Sequence, residues 1–286
     1  MSASDVITDV EYEKKYDREL GLAGAYLPVK GIRGLGWAGW RDLPAADVVK
    51  DMIEWHNGFI REHISEPFYL LFHQMIEKGE LSLDELSVYY SKYYGFIDNM
   101  FPWEGLVTVR LQELSQLDEA DPEGVREIRD LFRTHFYEEI GHEELLADFC
   151  EQALKLNRVK DVYLPNLAKG EGYLKTSRDL FKMIYGERHF TEAAVLMFAE
   201  RDLPKSMRRT RLGLSKQYGF ADRDLNYFDI HSYIDIYHER YGSYIIAKYA
   251  TSKELENNVK NLFQQIITTR YESEKQQFDL FRASRR

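Results

Sequence analysis

Cysteine is almost absent from this chain. A single residue, Cys150, excludes an internal disulfide framework and any multi-cysteine zinc or iron–sulfur site, and it accords with a reducing compartment. Any metal must rest on histidine and carboxylate. Long apolar runs are missing too: no stretch approaches the roughly 18 residues of a membrane-crossing helix, and the opening MSASDVITDVEYEKKYDREL is too polar and acidic for a secretory signal. The expectation is a cytoplasmic protein with no membrane partner. Nor is positive charge in excess. The net charge of -10 argues against nucleic acid as a partner, and the basic runs RRTR (208–211) and RASRR (282–286) read as solvated helix ends.

What is present is apolar and aromatic residue in helical spacing. With 286 residues, 44% of them hydrophobic and 14% aromatic, the chain can bury one large core or two small ones. From about Pro44 onward the apolar residues recur every 3.6 positions without the alternation a strand requires, so the predicted fold is all-α. Residues 1–45, with Gly21, Gly24, Gly31, Gly34, Gly36 and Gly39 around Trp37 and Trp40, read as an irregular arm ahead of a helical domain at 46–286. Helix starts are signalled by Ser82 with Glu85, by Asp121 before Pro122, and by Thr191. Gly79, Gly219 and Gly242 read as stops. The resulting helices cover 46–64, 66–78, 83–101, 103–117, 122–156, 175–186, 191–216, 224–249 and 253–281.

Seven polar residues stand out against this pattern: Glu104, Glu139, His142, Glu200, His231, Asp235 and His238. Residues three or four apart share a helix face, so Glu139 points with His142, and His231 points with Asp235 and His238. Glu104 precedes Glu139 by 35 positions and Glu200 precedes Asp235 by 35, giving the order Glu, Glu-x-x-His, Glu, Asp-x-x-His. Such a repeat suits a two-metal site in the core of a bundle, where four carboxylates balance two divalent cations of iron or manganese. Alone, Glu-x-x-His in EEIGHEELL is equally a solvated acidic face. Asp235 and Glu200, however, lie within apolar sequence where an unpaired charge is costly. Glu138, one turn from His142, competes with Glu139, and His135 lies on much the same face. Glu104 also fits the first turn of a helix after Pro102 and Trp103.

These residues, in this order, resemble the heme-oxygenase-like diiron oxidases and oxygenases over roughly residues 50–250. The stretch FYLLFHQMIEKGELSLDELSVYYSKYYGFIDNMFPW is similar to that fold's early helical pair, EEIGHEELL to its central metal-binding helix, and His231-x3-Asp235-x2-His238 to its C-terminal ligand triplet. A ferritin-like bundle explains the two acid-x-x-His pairs but leaves His231 over. The resemblance implies two iron ions, one taking Glu139 or Glu104 with His142, the other built mainly from Glu200, His231, Asp235 and His238. It further implies O2 as co-substrate, a peroxo-diferric species and an external electron donor. A carboxylate-rich ligand set implies N-oxygenation of a small amine. The alternative is oxidative cleavage, decarboxylation or desaturation of an amino acid or fatty acid.

Phe101, Trp103, Met197 and Tyr237 lie within a turn of these ligands and are candidates to line a substrate pocket, although aromatic residues at helical spacing are more often core. Arg201 and Arg240 adjoin the ligand helices. A metal-free thiaminase-like hydrolase or binding protein would use Cys150 as its nucleophile, and His56 and His63 read as packing or surface histidines rather than heme ligands. The aromatic content is compatible with a homodimer.

Overall fold

The computed structural model describes residues 46–63, 71–95, 97, 122–156, 158, 159 and 190–284, and every regular element among them is helical. The arm at 1–45, the predicted helices at 103–117 and 175–186, and Phe101, Trp103 and Glu104 lie outside the described residues. Helix α1 is Asp47–His63 and α2 is Leu71–Lys78. Residues 83–95 form α3. Next come α4 (Pro122–Glu139), α5 (His142–Asp148) and a π-helical turn, Phe149–Ala153. The short helices α6 (Phe190–Ala193) and α7 (Val195–Phe198) lead into a tight 3-10 turn, Ala199–Asp202, and then α8 (Leu203–Tyr218). The last three helices are α9 (Asn226–His231), α10 (Ile234–Tyr249) and α11 (Lys253–Ser284). No helix among the described residues is long and apolar enough to cross a membrane.

Several starts and stops act as the sequence predicts. Ser82 and Glu85 form a reciprocal capping box: the Ser82 N–H donates to Glu85 Oε2 at 2.7 Å and the Glu85 N–H to Ser82 Oγ at 3.2 Å. Pro122 opens α4. Gly79, at φ 69°, follows α2, and Gly219, at φ 71°, caps α8 in the left-handed conformation. Gly242 is different. It lies inside α10 rather than at its end, and a Cβ there would stand 2.5 Å from the backbone N of Phe198 and 2.7 Å from the Ala194 carbonyl. The missing side chain lets α10 seat directly on α7. Gly213 does the same for α8 against α2, where a Cβ would meet the backbone of Ile76 and Glu77 at 2.8 Å. The RRTR run is likewise no solvated end: Arg208 and Arg211 are buried within α8, and Arg209 is paired with Glu77.

Among the described residues the apolar faces make two cores. One gathers Met52, Leu131, Phe198, Ile245 and Phe263; the other gathers Leu86, Tyr90, Phe149, Leu214 and Phe228. Met197, Ala199 and Tyr241, near Glu200 and His238 in the chain, belong to the first, whereas Leu146, Tyr227 and Phe228, near His142 and His231, belong to the second. His135, His142, His231, Asp235 and His238 are buried, while Glu139 and Glu200 are partly buried.

Candidate metal centre

Among the described residues, each ligand-bearing segment departs from a regular helix. The sequence predicts an unbroken helix over 122–156, yet it stops at Glu139, turns through Gly141 at φ 91° and resumes at His142. Only glycine adopts that conformation at low cost. Glu200 sits in the 3-10 turn between α7 and α8, and Ser232 and Tyr233 separate α9 from α10, so that His231 ends one helix while Asp235 and His238 open the next. Tight and widened turns of this kind often mark functional positions within helices.

Neighbouring contacts hold these turns. Arg270 donates to the Ala199 carbonyl at 2.8 Å, and Asp202 lies 2.8 Å from Nε2 of the buried His56, so both ends of the Glu200 turn are anchored. Burial would raise the Asp202 carboxyl, but the charge of His56 and its hydrogen bond bring it down to about 2. Arg211 donates to Asp229 at 2.6 Å and to Asp222 at 2.8 Å, tying α9 to α8, and the Arg208 guanidinium lies 5.0 Å from the Tyr233 ring at the α9–α10 break.

The side chains so placed converge. His238 Nδ1 lies 2.7 Å from Glu200 Oε2, 3.2 Å from Glu139 Oε1 and 3.7 Å from Asp235 Oδ1, so one nitrogen faces three carboxylate oxygens. One N–H cannot serve all three. His238 Nε2 faces Glu138 Oε2 at 3.3 Å, and His135 Nε2 lies 3.2 Å from Glu200 Oε1. On the other side, Glu139 Oε2 is 3.1 Å from His142 Nδ1, and the His142 ring packs against that of His231 at 4.7 Å. His231 Nδ1 donates to Asp235 Oδ1 at 2.9 Å.

Two sets of donor atoms result, each within 4.8 Å of one another: His135, Glu139, Glu200 and His238, and Glu139, His142 and His231. Glu139 belongs to both. Asp235 stands beside them with its free Oδ2 buried, and Glu139 Oε1 and His231 Nε2 are also buried without an aligned hydrogen-bond partner. Leaving so many polar atoms unmet inside a fold is costly unless something else meets them. A first-row ion bound at about 2.0–2.2 Å places adjacent donors roughly 3 Å apart, as they are here. Imidazole with carboxylate, without thiolate, suits iron or manganese. The residues therefore fit such ions.

The protonation pattern agrees with a site built for positive charge. Burial opposes charge on His231, yet Asp235, Glu139 and Glu200 push it up to about 9, and Glu200 with its neighbours pushes His238 well above the usual histidine range. Burial would raise Glu139 and Glu200, but the hydrogen bond from His142 and the surrounding imidazoles hold Glu139 far below the usual range, while His238 and His135 bring Glu200 down to about 2. Protons occupy places a cation can take.

Of the seven predicted ligands, the structure brings together Glu139, His142, Glu200, His231, Asp235 and His238. The grouping differs from the one the resemblance implies: His231 stands with His142 and Glu139, not with Glu200 and His238. Glu139 falls in both donor sets, whereas Glu138 falls in neither and faces Nε2 of His238. Met197 is buried in the first core, and Tyr237 packs against that core with the Arg240 guanidinium 6.0 Å from its ring. Arg201 lies 5.8 Å from the Phe198 ring. Cys150 is fully buried and burial pushes its thiol pKa up, so it packs as a core residue and is no nucleophile.

A family model described as iron-containing redox enzyme matches residues 103–271, a span that contains all seven predicted ligands. No curated protein matches the chain.

Proposed function

The chain belongs to the iron-containing redox enzymes, and from that premise we propose that it is an O2-dependent non-heme oxygenase holding two irons in the buried histidine–carboxylate cluster, with a small amine as its substrate. The observation that carries the reading is the position of Glu139 between two sets of donors, one oxygen toward each. A single carboxylate placed in this way is what two adjacent ions require.

Glu139, Glu200 and His238, with Asp235 beside them, would hold one ion; Glu139, His142 and His231 would hold the other, with Glu104 as the further carboxylate. When bound, the ion pair supplies the electrons for reducing O2, which no side chain in the cluster can deliver, and an external donor restores them. The protein's own part is orientation and exclusion. Glu138 faces Nε2 of His238 and would orient that ring, and Asp235 accepts from Nδ1 of His231, whose Nε2 is buried without a hydrogen-bond partner and would be left for an ion. Burial of all four histidines of the cluster and of Asp235 would limit the access of bulk water.

Nitrogen as the site of oxygenation is supported by the carboxylate-rich ligand set that the family resemblance implies, with Glu104, which lies outside the described residues, as a carboxylate additional to Glu139 and the C-terminal trio. The test is to load the apo-protein with Fe(II) anaerobically, admit 18O2 with a panel of amines and amino acids, and read products by mass spectrometry. Label on nitrogen supports the proposal. Release of CO2 or an alkene moves the assignment to carbon–carbon cleavage, and no O2 uptake by the loaded protein overturns both.

A further inference from the structure

His135 is the one member of the two donor sets that neither the spacing motif nor the seven-residue set includes. It lies one helical turn before Glu139 on α4, so α4 presents an imidazole and a carboxylate to the cluster from one face. The residue is 6% exposed, and its ring meets that of His238 edge-on at 4.3 Å between centroids. Nε2 approaches the oxygen of Glu200 that His238 does not use: His135 addresses Oε1 at 3.2 Å and His238 addresses Oε2 at 2.7 Å. Its donor atom also falls within 4.8 Å of those of Glu139 and His238, which a residue serving Glu200 alone has no need to do.

We propose that His135 is a direct ligand of the ion held by Glu139, Glu200 and His238, an inference that rests on the two-iron reading above. Each ion then has two imidazoles, His135 with His238 and His142 with His231, and the two share Glu139. A second neutral nitrogen on the Glu200 side adds a ligand without adding negative charge, and so favours ferrous over ferric iron there. The competing role is a hydrogen bond that positions Glu200, and chemistry separates the two. Glutamine can donate to Glu200 Oε1 as His135 does but is a poor ligand for iron.

The experiment is anaerobic Fe(II) titration of wild type, His135→Gln and His135→Ala against a chromogenic chelator, with far-UV circular dichroism to verify folding. Pulsed EPR of the mixed-valent protein counts coordinated imidazole nitrogens. The proposal expects both variants to keep one tight ion and to lose more than about a hundredfold in affinity for the other, beyond the ten- to hundredfold typical of an orienting residue. One imidazole nitrogen should disappear from the spectrum, and added free imidazole should restore the second ion in His135→Ala. His135→Gln binding two ions at wild-type affinity, with the nitrogen count unchanged, would overturn the proposal and leave the two-iron reading standing. Failure of the wild type to bind two ions would overturn both.

Discussion

Glu139 Oε1 lies 3.2 Å from Nδ1 of His238, while the second oxygen of the same carboxylate lies 3.1 Å from His142. A side chain at the end of α4 thus joins the first turn of α10 to the first residue of α5. Its removal should not resemble removal of a terminal ligand. Glu139→Ala is expected to lose both irons together, whereas His142→Ala and His238→Ala each lose one. Iron per chain after gel filtration checks this, and a Glu139 variant that keeps one tight iron would count against the shared carboxylate.

Glu138 and Glu139 are adjacent in sequence but do different work in this account. Glu138 faces Nε2 of His238 at 3.3 Å and also interacts with the Tyr241 hydroxyl, whereas Glu139 spans both donor sets. Glu138→Ala is therefore expected to retain two-iron stoichiometry while weakening one ion by about ten- to a hundredfold. Loss of an iron outright would promote Glu138 to a ligand.

Gly242 sets the distance between α10, which carries His238, and α7, which leads into the turn that carries Glu200. A methyl group at that position meets backbone at 2.5 Å, which rotamer change cannot relieve. Gly242→Ala should cost about 1–3 kcal/mol of stability and weaken iron binding as well. Gly213→Ala, equally crowded but against α2, should cost similar stability in urea unfolding and leave iron affinity near that of the wild type.

His73 supplies a pH dependence remote from the cluster. Burial and then the charge of Arg209 lower it from 6.5 to about 4, and it shares a hydrogen bond with Thr210. The folded form therefore refuses a proton that the unfolded chain accepts below pH 6.5. Its contribution is complete above that pH and is lost progressively as pH falls toward 4, by at most about 3 kcal/mol. The stability gap between wild-type apo-protein and His73→Gln should narrow from pH 7 to pH 4.5 in urea unfolding; parallel curves would contradict the assignment.

The all-helical fold and six gathered polar residues were legible because both follow from spacing. Apolar period fixes helices, and an acid one turn from a histidine fixes a shared face. The capping box at Ser82 and the left-handed stops at Gly79 and Gly219 were legible for the same local reason. The breaks were not. Gly141, the turn at 199–202 and the pair Ser232–Tyr233 interrupt segments whose periodicity continues through them, and of these only Gly141, left-handed at φ 91°, carries a local signal in the sequence. Gly242 was misread because a glycine that ends a helix and one that admits a neighbouring backbone look alike in sequence. The pairing of His231 with His142 depends on that same interruption, which turns the end of α9 toward α5.

The most direct test of the central claim is anaerobic titration of Fe(II) into apo-protein, followed by Mössbauer spectroscopy of the loaded sample. The account predicts two irons per chain in two similar nitrogen- and oxygen-rich environments, magnetically coupled after oxidation because they share Glu139. Saturation at one iron, or two uncoupled irons, would contradict it.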